Sequence, residues 1–242
     1  MLSKAKIKFI KSLQIKKYRK QEQCFIVEGA KSVRELLASD FEVVTLLGTN
    51  TFLSSIEQEG NIDIVEVNEG ELDGLGQFQT NHIALAVARI KENTPVSVAS
   101  DEFVLVLDDI RDPGNLGTIV RTADWFGIDK IVASSETADF YNPKVISSTM
   151  GSFTRVQVYY TQLEDYLKNV TLPVFGTYLE GMDIVDVAFG DGGFILIGNE
   201  SNGISQNLEK FVTRKITISK IGKGESLNAG IAAGILCYAA TR

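Results

Sequence analysis

Three segments of this 242-residue chain place amide, hydroxyl and charged side chains beside glycine at spacings suited to holding a small polar molecule. The first is Asp108-Asp109-Ile110-Arg111-Asp112-Pro113-Gly114-Asn115-Leu116-Gly117-Thr118-Ile119-Val120-Arg121-Thr122-Ala123. Its Pro, Gly and Asn make a tight turn, Asn115 can cap the helix that follows, and Gly117 permits close approach to the first helical turn. Arg121, six residues beyond Asn115, falls nearly two turns in, within reach of whatever occupies the strand ends. The second segment, Gly198-Asn199-Glu200-Ser201-Asn202-Gly203-Ile204, runs from an apolar stretch straight into Gly, Asn and Ser. The third, Ile218-Ser219-Lys220-Ile221-Gly222-Lys223-Gly224-Glu225-Ser226-Leu227-Asn228-Ala229, is a Gly-rich loop leading into a helix. Each alone reads as a turn plus a helix cap. Converging, they would make a small-molecule pocket built largely from backbone N–H and C=O groups.

Other chemistries fail on residue type or spacing. Gly29-Ala30-Lys31-Ser32 lacks the Gly that a phosphate loop needs directly before its Lys, and Gly222-Lys223-Gly224 has Leu227 where a dinucleotide fingerprint needs its third Gly. The consecutive Asp108 and Asp109 would point to opposite faces of a strand, poor geometry for a two-acid mechanism. One His (His82) and two distant cysteines (Cys24 and Cys237) argue against a Cys/His zinc site and against His-dependent triads. The cysteine usage, an N-terminus with no uninterrupted apolar core behind its charges, and the lack of about 18 consecutive apolar residues lead us to expect a reduced, cytoplasmic protein outside the membrane.

The elements that must position these segments follow from hydrophobic pattern. Phe103–Leu107 is a continuous apolar run ending in Asp108-Asp109, as in a buried parallel strand. A helix is expected from near Asn115 to Phe126, closed by Gly127. Lys130–Ala133, Val174–Tyr178, Phe194–Ile197 and Lys215–Ile218 read as further strands, and Leu227–Ala240 as a last helix. Alternating strands and helices imply an α/β domain with a parallel sheet covered by helices on both faces, whose ligands bind outside the carboxyl ends of the strands. Residues 92–101, with Pro95 among small and polar residues, read as a linker. Before it, strands at Phe25–Gly29, Val43–Leu47, Ile62–Val67 and Ile83–Val87 and a helix at Ala30–Ala38 read as a small α/β domain. The division is therefore residues 1–95 and 101–242.

Net charge is −7, but residues 1–20 hold Lys4, Lys6, Lys8, Lys11, Lys16, Lys17, Arg19 and Lys20 and no acid, leaving −15 on the remainder. A basic arm on an acidic body suits a polyanion binder, and suits equally a solvated helix end or tail.

In order and wording, the three segments together resemble the SpoU (TrmH-type) family of RNA ribose methyltransferases in the SPOUT superfamily. Asn115, Gly117, Arg121 and Ala123 match its first motif. Gly198, Glu200, Gly203 and Ile204 match its second, and Ser226, Leu227 and Asn228 before Ala232-Ala233-Gly234-Ile235-Leu236 match its third. Asn142-Pro143-Lys144, Ser147 and Gly151 also look like the family, and Arg19-Lys20-Gln21-Glu22 with Phe25–Gly29 resembles its small RNA-substrate-binding domain. Where the family usually carries Val-Ser after the third-motif Asn, this chain has Ala229-Gly230.

The resemblance implies a deep trefoil knot, S-adenosylmethionine as cofactor, and transfer to a ribose 2′-hydroxyl. It implies catalytic roles for Arg121, Asn115, Glu200, Ser226 and Asn228, with Glu200 fixing Arg121 or a loop N–H. It places cofactor contacts at Gly198, Ile218 and Leu227, with Thr177, Tyr178 and Leu179 nearby. Lys16, Lys17, Arg19 and Lys20 would meet RNA phosphates. The expected partners are RNA, ribosomal rather than transfer RNA, and a second copy of the chain, with neither DNA nor membrane. The alternatives are a transfer RNA 2′-O-methyltransferase, a base-methylating relative, and a non-catalytic RNA-binding or ribosome-assembly protein on the same fold.

Overall fold

The computed structural model describes residues 2–57, 62–77 and 83–242; His82 lies outside them. The first part of the chain forms α1 (Lys4–Ser12), α2 (Lys16–Glu22), β1 (Cys24–Glu28), α3 (Ala30–Leu37), β2 (Val43–Gly48), α4 (Asn50–Leu53), β3 (Asp63–Glu66), α5 (Glu69–Leu72) and β4 (Ala84–Arg89). The second forms β5 (Phe103–Leu107), α6 (Pro113–Trp125), β6 (Lys130–Ala133), α7 (Pro143–Thr149), β7 (Gln157–Tyr160), α8 (Leu163–Leu167), β8 (Val174–Asp183), β9 (Gly193–Ile197), β10 (Arg214–Thr217) and α9 (Ala229–Ala240).

These elements fall into two compact units, residues 1–92 with 139–154, and residues 93–138 with 155–242. The first contains a four-stranded sheet in the order β1-β4-β2-β3, antiparallel except for β2–β3. Its basic N-terminus is no arm. Ser3 caps α1 by accepting from the Lys6 N–H, and Ile10 and Leu13 are fully buried among Cys24, Ile26, Leu47, Leu85 and Val87. Apolar residues at helical spacing between the lysines pull the segment onto the sheet.

Arg19 is corrected by the same packing. Its side chain is only 2% exposed, with Nη1 donating to the Leu13 and Gln14 carbonyls at 2.9 Å and Nη2 to Asp139 Oδ2 at 2.6 Å. A guanidinium committed to this framework cannot meet RNA, whereas Lys16, Lys17 and Lys20 are exposed. The segment 139–154, assigned by sequence to the second domain, belongs to the first unit: Tyr141 and Phe153 set their rings 4.7 and 6.0 Å from Phe25, covering an aromatic face.

The second unit is a six-stranded, wholly parallel sheet in the order β10-β8-β9-β5-β6-β7. Val104–Leu107 and Ile195–Leu196 are fully buried, as expected of a sheet covered on both faces. Strand β8 runs five residues beyond its expected end. β10 pairs first with Phe175–Gly176 and then, after a register break between Lys215 and Ile216, with Met182–Asp183. The hydrophobic pattern does not reveal β7 and α8, which are short and weakly periodic.

Candidate active site

The three motif segments leave the carboxyl ends of β5, β9 and β10. Helix α6 starts earlier than expected: Asp112 is its N-cap, accepting from the Asn115 N–H at 2.8 Å, and Pro113 takes the first helical position. Asn115 is therefore not the cap. It sits at the third helical position with its carboxamide free for other work. Gly127 closes the helix at φ +74°, as expected.

Helix α9 starts later, with Asn228 as its N-cap, so Leu227 precedes it. Asn228 Oδ1 accepts from the N–H groups of Gly230 and Ile231 at 3.0 and 3.3 Å. Its Nδ2 donates to Asn115 Oδ1 at 2.7 Å, and Asn115 Nδ2 donates to the Glu200 carboxylate. Every amide orientation in this relay is forced. A carboxylate only accepts and a backbone N–H only donates, so both Asn side chains must point one way. The relay joins all three motifs.

Glu200 is thus held by Asn115, not by Arg121 as one of the two expectations had it. Arg121 is exposed on α6, and no hydrogen bond or ion pair engages its side chain among the described residues. At Gly230, where the chain departs from the family's Val-Ser, a Cβ would lie 2.9 Å from Thr118 Cγ2, so α9 approaches α6 at a point where a side chain would displace Thr118.

The second-motif loop is built around Gly198. A Cβ there would come within 2.2 Å of the Gly203 carbonyl carbon, because Asn199 and Gly203 form a tight backbone bridge with bonds of 3.0 and 2.9 Å. Asn199 Oδ1 accepts from the Ser201 and Asn202 N–H groups, and its Nδ2 donates to the Asp109 carbonyl at 2.9 Å. Buried Asp108 accepts from the Ser205 N–H at 2.7 Å. Sequence reasoning assigns no site role to Asn199, Asp108 or Asp109. Its only signal for them is their place beside the motifs.

The expected cofactor residues have a different character. Leu227 is 46% exposed and Leu179 79%, while Ile218 and Thr177 are half-buried; Ile221, which carries no expected role, is fully exposed in the same loop as Leu227. Tyr178, partly buried, packs its ring against the core cluster beside Val212, with the Lys215 ammonium 4.6 Å from the ring centroid and its hydroxyl buried without a hydrogen-bond partner among the described residues. Ser219 donates to Asp183, a bond that, with the Val185 N–H, holds the Asp183 carboxyl below its usual range. Ser226 is exposed. Two clefts of about 410 and 400 Å³, lined by residues such as Asp101, Asp129 and Arg242 or Val96, Tyr166 and Phe194, lie away from these loops.

A nucleoside cofactor with a sulfonium tail fits this side of the site chemically. Apolar Leu227 and Ile218 offer faces for a purine, and glycine-lined backbone offers polar groups for its edges. Among the described residues no helix is long and apolar enough to cross a membrane, and no Cys, His or carboxylate cluster suits a metal.

Comparison with known proteins gives these features a context. Residues 102–238 match the model of the SpoU rRNA Methylase family, and residues 4–86 that of the MRM3-like substrate binding domain. The Bacillus subtilis "23S rRNA (guanosine(2553)-2'-O)-methyltransferase RlmP" is 31% identical over 237 residues, which covers 96% of this chain and 94% of that protein. A TrmH-family protein from Porphyromonas gingivalis superposes with a TM-score of 0.91 at 34% identity, covering 99% and 98% of the two chains. An AdoMet-bound rRNA methyltransferase from Sinorhizobium meliloti does so with a TM-score of 0.89 at 28% identity, over 99% and 95%. A family model spanning more than half of the sequence and a relative aligned over nearly all of it make the chain a member of the SpoU rRNA methylase family.

Proposed function

We propose that the chain methylates a ribose 2′-hydroxyl of large-subunit ribosomal RNA. It is an S-adenosylmethionine-dependent RNA methyltransferase of the SPOUT fold, with an N-terminal substrate-binding domain. The choice of ribosomal RNA rests on the substrate named for the Bacillus relative and on the substrate-binding domain. The observation that carries the site assignment is the hydrogen-bonded relay Asn228–Asn115–Glu200. It ties the three motifs together while Arg121, on the helix that carries Asn115, stays unpaired among the described residues.

The cofactor, when bound, supplies an electrophilic sulfonium methyl. Gly198, Ile218 and Leu227 would hold it, with the backbone of Thr177, Tyr178 and Leu179 beside them. Displacement is in line, so aligning the 2′-oxygen with the methyl accounts for much of the rate. A guanidinium is too weakly acidic to lose its proton at neutral pH and so to serve readily as a base. Arg121 instead binds the adjoining phosphate and stabilises the alkoxide that develops on the 2′-oxygen, the proton passing to a neighbour or to water. Asn115 and Asn228 orient the loops and the target nucleotide, Glu200 holds Asn115, and Ser226 positions the ribose. Lys16, Lys17 and Lys20 meet RNA phosphates. The chain acts as a cytoplasmic homodimer whose C-terminal motifs are threaded through a trefoil knot. The exposed Trp125, Ile231 and Tyr238 on α6 and α9 give the dimer an apolar face.

The test is methyl transfer from labelled S-adenosylmethionine to unmodified ribosomal and transfer RNA, followed by alkaline digestion. Label in alkali-resistant dinucleotides of ribosomal RNA is expected. Label in mononucleotides would mean base methylation, label in transfer RNA alone would change the substrate, and cofactor binding without transfer to any RNA or ribosomal particle would leave a binding protein.

A further inference from the structure

Asp109 stands outside the Asn228–Asn115–Glu200 relay, yet its backbone is held in an uncommon conformation. Its φ is +60°, in the left-handed region that non-glycine residues adopt uncommonly, Asp more readily than most. Two other non-glycine residues among those described share this feature, Gln23 and Met150, and each ends a helix, where it is customary. Asp109 ends a strand. Three bonds enforce its geometry: its N–H donates to Ser134 Oγ at 3.0 Å, its carbonyl accepts from Asn199 Nδ2, and its carboxylate accepts from Arg111 Nε at 2.6 Å.

The Asp109 side chain is 16% exposed and that of Arg111 70%. An ion pair so open to water contributes little to stability, so stability alone does not account for the conformation. What the conformation achieves is direction. Nε is the one guanidinium nitrogen engaged among the described residues, so both terminal nitrogens keep their N–H donors for a bidentate acceptor. Arg111 stands directly before the N-cap of α6 and four residues before Asn115. A nucleotide within a strand carries a phosphodiester on each side of its ribose, and one arginine can clasp only one of them.

The geometry points to Arg111 as a second RNA-phosphate ligand of the transfer site, with Asp109 as the positioning residue that fixes its side chain. This deepens the reading of the protein as an RNA methyltransferase and rests on it. Arg121 engages the phosphate and alkoxide at the reacting ribose, and Arg111 holds the neighbouring phosphodiester so that the ribose is fixed from both sides. The transfer reaction is otherwise unchanged.

The full-length chain with unmodified ribosomal RNA tests this through Arg111→Gln, Asp109→Gly and Asp109→Asn. Glycine accepts the positive φ and removes the carboxylate, whereas asparagine keeps an acceptor for Nε. Arg111→Gln should raise KM for RNA about 10-fold with a smaller fall in kcat. It should also flatten the salt dependence of RNA binding by about 0.7 in log–log slope, the value for one phosphate of a single strand left without its cation. Asp109→Gly should raise KM about 3-fold with the slope retained, since the arginine charge remains, and Asp109→Asn should restore part of the loss. S-adenosylmethionine affinity should not move in any of the three. An Arg111→Gln protein with the parent's KM and salt slope would overturn the assignment. So would a fall in kcat alone, which marks a merely structural loop. If the parent chain bound RNA without methylating it, the functional reading would fall while the salt slope still decided the role of Arg111; failure to bind RNA would end both.

Discussion

The two sides of the candidate site are built in opposite ways. On one side, Asn228, Asn115 and Glu200 are locked in a single hydrogen-bonded order, and Gly198 is seated where no side chain fits. On the other, the loop between β10 and α9 presents Ile221 and Leu227 to solvent, and Ser226 is exposed. The locked side is complete from the chain's own groups, whereas the open side carries apolar surface that only a ligand or a partner would cover. The contrast teaches a division of labour. On the proposed assignment, the groups aligned for transfer and the Gly198 backbone against the cofactor are fixed during folding, and the apolar side chains that close over the cofactor gain their burial on binding. Substitutions on the locked side should therefore alter rate or stability, and those on the open side affinity.

The largest effect is expected at Arg121, which sits on the locked helix but makes no side-chain bond among the described residues. Arg121→Ala should reduce methyl transfer about 10³-fold, roughly 4 kcal/mol of transition-state stabilisation, with cofactor affinity and melting temperature unchanged. Single-turnover transfer beside calorimetric titration of S-adenosylmethionine separates the two. Equal losses in binding and rate would place Arg121 on the cofactor side and break the division.

Gly198→Ala comes next. The new methyl would meet the Gly203 backbone at 2.2 Å, and backbone cannot swing aside as a flexible side chain would. We expect a loss of about 2–3 kcal/mol of stability and on the order of a 100-fold loss of transfer, read by denaturant unfolding and activity together. Full stability in this variant would show that the bridge between Asn199 and Gly203 is slack and the side less rigid than it looks.

Asn228 separates capping from linkage. Asn228→Ala removes both and should cost about 1 kcal/mol of stability and about 10-fold in rate. Asn228→Ser restores a cap acceptor but not the donor to Asn115, so stability should return and rate should not. Recovery of both would reduce the link to an ornament of the cap.

Legibility in the sequence divides along the same line. The strands of the second unit are readable because a parallel sheet buried on both faces writes uninterrupted apolar runs, as Phe103–Leu107 and Phe194–Ile197 do. The motif residues are readable from type and spacing. Which side chain holds which is not: Glu200 reaches Asn115, 85 positions away, and no local pattern records a long-range bond. Arg19 misleads for a related reason. Among eight cations in twenty residues nothing marks the one that turns inward, since its partner Asp139 lies 120 positions on. Asp109 escapes notice because, although Asp adopts positive φ more readily than most non-glycine residues, no local pattern says which of the chain's aspartates does so.

The smallest effect is expected on the open side, and it tests the division most directly. Leu227 is 46% exposed and precedes α9, so nearly half of its surface is left for a ligand to cover. If the side chain closes over the cofactor, Leu227→Ala forfeits only the apolar area covered on binding, on the order of 1 kcal/mol at about 25 cal/mol per Å². That corresponds to an affinity for S-adenosylmethionine weaker by about 5- to 10-fold. The melting temperature of the free protein should stay put, and the gain in melting temperature on adding cofactor should shrink, because ligand stabilisation follows affinity. Transfer at saturating cofactor should then match the parent. A lower melting temperature in the free protein, with affinity retained, would mean that Leu227 packs for the fold after all, and that the open side is as much a product of folding as the locked one.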